Sequence, residues 1–365
     1  MKPYFYTEPQ LDFNDILLVP SIAEDGVDVD SRSKVNLTRR IVTPYSSQVM
    51  TGIPIIAANM DGVGTFRVAD ALHNVGCYTA LHKHHSIESL VEFYSSNNEA
   101  AVDLGFSNEN NNVFYSMGSN EADYNKFTSI KNTLLDKGVR IPNICFDVAN
   151  LYSKSFHKII ERIRHENPTT VIMAGNVVTL EAVEALGNIG VDIVKLGIGP
   201  SSVCTTRTQT GVGYPQLSCI MNIASRIGDS GPLLCSDGGC NNPGDFSKAF
   251  AAGADFVMTG SMLAGTDEGG GRVVDGMVEF YGMSSKTANE KHFGGLQGYR
   301  SSEGRTVRIP YKGSINSVIQ DILGGIRSTC TYVGVNSLED LEHKARYVRV
   351  NNNINRSFEK YTVGN

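Results

Sequence analysis

A glycine-rich turn carries the most reactive residue type in the chain. Gly197-Ile-Gly199-Pro-Ser201-Ser-Val-Cys204-Thr-Thr206-Arg207 follows an apolar run. Small residues there let the backbone approach a ligand closely. A cysteine on such a loop is a candidate nucleophile, because its thiolate attacks electrophilic carbon well. An inert structural cysteine is the competing reading. The G-x-G of this turn lacks the third glycine and the acidic residue of a dinucleotide fingerprint. A second turn, Asp237-Gly238-Gly239, also follows an apolar run. Glycine amides there can cradle a phosphate. A carboxylate repels phosphate, so Asp237 is expected to accept from ribose hydroxyls. Gly260-Ser261 and Gly282-Met283-Ser284 repeat small donors after the next two runs. In Arg300-Ser301-Ser302-Glu303-Gly304, the carboxylate is a candidate for exchanging protons with a substrate. His82-Lys83-His84-His85 reads three ways: a metal site, an anion site on Lys83, or plain surface. Cys235 and Cys240 flank the Asp237 turn and read as packing residues.

The elements that must position these groups alternate along the chain. Apolar runs stand at 54–60, 77–82, 144–148, 171–175, 193–197, 233–237 and 256–260, with a weaker one at 280–283. They do not alternate strictly, as suits parallel strands buried on both faces. Segments such as 179–186 and 243–252 between them have amphipathic helical spacing. Strand–helix alternation predicts a parallel α/β fold, and eight candidate strands favour a closed (β/α)₈ barrel. Most runs end in Gly, Asn, Asp, Ser or Cys. In a barrel those ends share one mouth, where active sites are built. Small donors after three consecutive late strands suit a phosphate site there. The polar, Asn-rich stretch 95–125 reads as a surface insertion, and 267–279 as a Gly-rich loop or hairpin before the last strand. From about 337 a helix and a loosely packed tail are expected. A single catalytic barrel domain is expected over 1–365, with an N-terminal extension.

Composition narrows the class. At about 150 residues per domain, 365 residues allow two domains or one large barrel. The 32 Lys and Arg against 38 Asp and Glu leave a net charge of −6, which argues against a nucleic-acid surface. Seven cysteines, an odd number with no C-x-x-C pair, predict free thiols and a reducing cytoplasm. No apolar run reaches the ~18 residues of a membrane helix, and the N-terminus has no signal-peptide core, so a soluble protein with no membrane partner is expected.

The stretch GIGPSSVCTTRTQTGVGYPQ (197–216) resembles the catalytic cysteine loop of the IMP dehydrogenase/GMP reductase family. The resemblance extends through LDFNDILLVP (11–20), PIIAANMD (54–61), AGNVVT (174–179) and SDGGCNNPGD (236–245). It continues in FYGMSS (280–285), YRSSEGRTV (299–307) and DILGGIRSTCTYVG (321–334). There is no room for the CBS modules usual in the dehydrogenases. The residues after Cys204 resemble the reductase branch, whose reaction is NADPH + GMP + H⁺ → IMP + NH₃ + NADP⁺. The alternative is a dehydrogenase lacking CBS modules. The resemblance implies Cys204 as nucleophile, with Thr206 and Glu303 managing protons on the leaving ammonia. It implies a GMP site of Asp237, Gly238, Gly239, Gly260, Ser261, Gly282, Met283, Ser284, Arg300, Ser301, Ser302 and Gly304. Lys83, Asp147, Val148 and Ala149 match the nicotinamide side. Ser31, Arg32, Ser328, Thr329, Cys330 and Thr331 match cofactor contacts shared between subunits, which implies a homotetramer. Gly199, Ser201, Cys204 and Arg207 match a loop that holds a monovalent cation, K⁺, through carbonyl oxygens. The family usually has glycine where this chain has Ser201 and Ser261. A positive φ at Ser201 would strain it by about 1 kcal/mol.

Overall fold

A computed structural model describes residues 8–103, 112–148, 150–228, 230–296, 298–299 and 301–350. Ala149 and Arg300, named above, lie outside the described residues. Eight parallel strands close into a barrel. We label them β1 (Ile55–Ala57), β2 (Tyr78–Ala80), β3 (Val113–Met117), β4 (Asn143–Asp147), β5 (Ile172–Val177), β6 (Ile193–Leu196), β7 (Leu233–Asp237) and β8 (Phe256–Thr259). Each is followed by a helix: α1 (Phe66–His73), α2 (Ile87–Asp103), α3 (Glu121–Asp136), α4 (Lys154–Glu166), α5 (Leu180–Asn188), α6 (Gln216–Ile227), α7 (Pro243–Ala251) and α8 (Ile315–Val333). The (β/α)₈ expectation holds, with no CBS module among the described residues. Parallel pairing of β8 with β1, Val257 opposite Ile55, closes the ring.

Burial explains the choice of elements. Every residue of β1, β2, β3, β6 and β8 is buried, as a strand covered on both faces requires. Most of the helices bury one stripe: in α8 it is Ile315, Ile319, Ile322, Leu323, Ile326, Cys330 and Val333, whereas α7 is buried throughout Asp245–Ala251. Their starts follow the chain's small polar residues. Thr65, Asn120, Asn242 and Ser314 each accept a backbone N–H at a helix N-terminus. Gly334, at φ 82°, ends α8 in the left-handed conformation that suits glycine. No helix of the described residues is long and apolar enough to cross a membrane.

One strand expectation is corrected. The run 280–283 is not a barrel strand. It begins inside Met277–Tyr281, the middle strand of an antiparallel sheet with Val273–Val274 and Thr306–Pro310. There Val278 and Phe280 are buried while Glu279 is exposed, the two-residue period of a half-covered strand. The missing barrel strand is β3, inside the stretch read as a surface insertion. Its apolar run Val113-Phe-Tyr-Ser-Met117 is masked by the asparagines before it. The stretch also contributes the end of α2 and the start of α3, so it belongs to the repeat rather than interrupting it. The tail holds a short helix, Leu341–Lys344, and a strand, Tyr347–Arg349, paired antiparallel with Ile16–Leu18.

The two ends of the barrel differ. The hairpin Arg39–Val42/Val49–Gly52 closes the end where the strands start, its Tyr45 and Ser46 amides donating to Asp192 just before β6. The opposite mouth is surrounded by the long β6–α6 and β8–α8 connections, which carry the chemistry.

Candidate active site

Beyond β6 the chain turns on Gly197 (φ 146°) and Gly199 (φ 79°). A Cβ on Gly197 would sit 2.4 Å from the Asp237 carbonyl, so the turn needs glycine for space as well as for conformation. The loop then delivers Cys204, partly buried, just before the short helix Thr206–Thr210. Ser201 is not among the described non-glycine residues with positive φ, so the strain considered above does not arise. Arg207 turns away from the sulfur: it pairs with Asp12 at 3.2 Å and donates to the Tyr214 carbonyl.

A second segment runs antiparallel to this loop. The Thr205 amide donates to the Glu303 carbonyl, and the Arg305 amide to the Val203 carbonyl. Cys204 and Gly304 form an isolated antiparallel bridge. Close packing makes this possible. A Cβ on Gly304 would lie 2.8 Å from the Ser285 nitrogen, and one on Gly282 would lie 2.9 Å from the Val203 carbonyl. Three stretches of chain meet here as backbone against backbone. The result is a short relay: the Cys204 sulfur lies 3.2 Å from Thr206 Oγ1, which donates to Glu303 Oε2 at 2.8 Å. Ser301 donates to Gln209, and Ser302 to the Gly304 carbonyl, holding the same segment.

The turn after β7 lies beside this relay. Gly238 and Gly239 have φ of 86° and 88°, and both approach Pro200 of the cysteine loop. The Gly238 amide donates to Met258. Asp237 accepts from Asn176 Nδ2 at 2.9 Å. Gly260 follows β8, where a Cβ would meet the Met60 sulfur at 2.6 Å, and the Ser261 carbonyl accepts from Lys312. Asp147 ends β4 at the same mouth, and Val148 follows it.

Two charged features here escape sequence reasoning. Lys195 is 1% exposed and lies 3.4 Å from Asp147 Oδ1 and 3.5 Å from Asp237 Oδ2. Burial would push its ammonium down, but the neighbouring Cys145, Asp237 and Asp147 hold it above the ordinary lysine range. Burial would likewise raise the Asp147 carboxyl, yet Lys195, Lys83 and Asn59 hold it below its usual value. The only signal was a lysine inside the apolar run Ile193-Val-Lys195-Leu196. The second feature is Asp61, after β1. Its Oδ2 accepts from Tyr281, Lys291 and His292 at 2.7 to 2.8 Å. Its amide contacts the Met283 sulfur at 3.4 Å. This ties the Gly282–Ser284 segment to the barrel rim. His84 stacks on His292 and His82 on His85, with centroids 3.5 and 3.7 Å apart. Among the described residues no group of three or more His, Cys, Asp or Glu could hold a metal ion, those at 82–85 included. Lys83 joins the rim through its carbonyl, which accepts from Lys126.

Ser31, Arg32 and Ser328 to Thr331 are not brought to this mouth. Ser31 caps the turn Arg32–Lys34, which packs on α8. Ser328, Thr329 and Thr331 donate to carbonyls of α8 itself, on its half farther from the mouth, and Cys330 is buried. All seven cysteines are free, and Cys235 and Cys240 are buried, as packing residues should be.

A family model described as the IMP dehydrogenase / GMP reductase domain matches residues 10–357. A protein of Vibrio cholerae named GMP reductase is 47% identical over 355 residues, covering 96% of this chain and 98% of its own. A GMP reductase of Caenorhabditis elegans is 46% identical over 365 residues, covering 99% and 98%. One of Vibrio campbellii is 46% identical over 357 residues, covering 97% and 98%.

Proposed function

The chain belongs to the IMP dehydrogenase/GMP reductase family, and on that premise we propose that it is an oxidoreductase that converts GMP to IMP with NADPH and releases ammonia. The carrying observation is the relay from the Cys204 sulfur through Thr206 to Glu303. The names of relatives alike over nearly their whole length support the same reading.

The chemistry follows from these groups. Purine C2 of GMP is a weak electrophile carrying a poor leaving group. Attack by Cys204 replaces one hard substitution with two easier ones. Sulfur bonds to C2 as its proton passes by way of Thr206 to Glu303, and the ring takes up the electron pair. The amine leaves as ammonia once Glu303, through Thr206, has supplied its proton, which leaves a thioimidate. Such a positioned acid contributes about 10²–10⁴-fold. NADPH, when bound, supplies the hydride that reduces C2. Cys204 then departs as thiolate, and IMP is released.

The binding groups belong to the same proposal. Asp237, Gly238, Gly239, Gly260, Ser261, Gly282, Met283, Ser284 and the 300–304 segment hold GMP. Lys83, Asp147 and Val148 would hold the nicotinamide half of the dinucleotide, and Ala149, outside the described residues, is assigned to the same side by its sequence alone. The Asp147 carboxyl, kept ionised, suits hydroxyl donors. Ser31, Arg32 and Ser328–Thr331 lie on the outer ring, so they would reach a cofactor bound to a neighbouring subunit; this supports association, and the homotetramer itself rests on the family resemblance. The carbonyls of Gly199, Ser201, Cys204 and Arg207 would hold K⁺. Oxygen dipoles suit a weakly hydrated cation, and the Ser201 and Arg207 carbonyls accept one backbone hydrogen bond each, leaving a second lone pair. One catalytic domain over 1–365 and a reducing cytoplasm complete the reading.

The test is absorbance at 340 nm with the purified chain, NADPH and GMP, beside IMP with NAD⁺. Falling absorbance that needs GMP and yields ammonia is expected. Rising absorbance in the IMP cuvette alone would make the protein a dehydrogenase without CBS modules.

A further inference from the structure

Inside the mouth, one buried cation faces two carboxylates from different strands. Lys195 rises from β6, Asp147 ends β4 and Asp237 ends β7. The lysine side chain is 1% exposed, whereas those of Asp147 and Asp237 are 29% and 20% exposed. The ammonium therefore lies beneath the two acids, which reach toward the opening. Gly175 on β5 makes the space: a Cβ there would sit 2.5 Å from Lys195 Cβ. Asn176 donates to the same Asp237 oxygen, Oδ2, and also to the Gly197 carbonyl, at the root of the cysteine loop.

We propose that Lys195 is a positioning residue shared by both nucleotide sites: it orients Asp237 for the GMP ribose and Asp147 for the dinucleotide, and couples the two. The inference rests on the reading of the mouth given above. Its physical basis is one buried ammonium in contact with two carboxylates, with Lys83 a second cation acting on Asp147. Without Lys195, two partly desolvated acids would repel each other across the floor and hold protons more tightly. Both would lose their fixed direction. Lys195 touches no reacting atom, so its loss should show in binding and in the acid limb rather than in the chemical step. Hydroxyl recognition needs ionised, oriented acceptors. A single shared partner makes the two sites respond together.

The test uses the full-length protein in its native assembly. In Lys195→Met, the KM values for GMP and for NADPH should each rise about 10-fold or more, with kcat changing less. The acid limb of kcat/KM should move to higher pH. Lys195→Arg should recover most of both effects, since it restores the charge. If Lys195→Met does not fold, Asp147→Asn carries the test. It leaves Lys195 wholly to Asp237, so GMP binding without cofactor, read by calorimetry, should persist to lower pH. Unchanged KM values and an unmoved acid limb in a folded Lys195→Met protein would overturn the proposal. So would a lowered melting temperature as the only change, or GMP binding in Asp147→Asn with an unshifted pH dependence. Wild-type protein that neither binds GMP nor oxidises NADPH with it would instead sink the functional reading, and this inference with it.

Discussion

Thr206 and Glu303, 97 residues apart in sequence, share a 2.8 Å hydrogen bond beside the Cys204 sulfur. The bond exists because two loops pair as backbone: Thr205 with Glu303, Cys204 with Gly304 and Arg305 with Val203. The acid is thus held by main chain rather than by a flexible side-chain cluster. This places a proton source near the sulfur but not on it, as the departure of an amine from the attacked carbon requires.

Glu303→Gln should therefore slow ammonia release more than hydride transfer. The carboxyl is lost while the shape and the Thr206 contact are kept, so a fall of about 10²–10⁴-fold in the deamination step is expected. Single-turnover traces resolve the two steps. Equal slowing of both would contradict the division of labour between Cys204 and Glu303.

Cys204→Ala should abolish turnover while GMP still binds. The side chain contacts Thr206 and supports no buried core, so its removal should leave the loop, which is held by the Gly304 pairing, in place. Calorimetry should find GMP affinity within a few-fold of wild type. A near-normal rate would end the covalent mechanism.

The legible parts of this molecule were those whose local sequence carries one meaning. Apolar runs bounded by Gly, Asp and Asn gave seven of the eight barrel strands, and turns such as Asp237-Gly238-Gly239 marked the mouth. Strand β3 was hidden because the asparagines before Val113 dominate their window. The run at 280–283 was misplaced because an apolar run does not reveal how many of its faces are covered; burial of Val278 and Phe280 around exposed Glu279 does. Lys195 and Asp61 were missed for a different reason. Each takes its role from partners on other strands or helices: Asp147 and Asp237 for one, Tyr281, Lys291 and His292 for the other. No spacing rule connects such residues before the barrel closes.

The histidine cluster at the rim should make stability depend on pH. Burial pushes His82 down to about 3, and burial with the nearby His292 pushes His84 down to about 4. The unfolded chain takes up these protons near pH 6.5, and the folded chain resists them. Stability should be fully present above that pH and decline as it falls toward 4. His84→Phe keeps a ring to stack on His292 and removes one of the two groups. Melting temperatures between pH 6.5 and 4.5 should fall less steeply in the variant. Parallel slopes would show that His84 is not a cause.

The far end of the barrel offers a stability test separate from the chemistry. Asp192 is fully buried beneath β6 and accepts from the Tyr45, Ser46 and Ile172 amides while pairing with Arg164 at 2.6 Å. It joins the closing hairpin, α4, β5 and β6 at one point. Asp192→Ala would leave a largely buried guanidinium and three amides short of an acceptor. Loss of one partner of a buried pair costs about 3–5 kcal/mol. The urea midpoint should drop accordingly, with little change in slope. Because Asp192 lies at the opposite end from Cys204, the folded variant should keep the wild-type KM for GMP at low temperature. A shift below about 1 kcal/mol would place Asp192 in the range of an exposed ion pair instead.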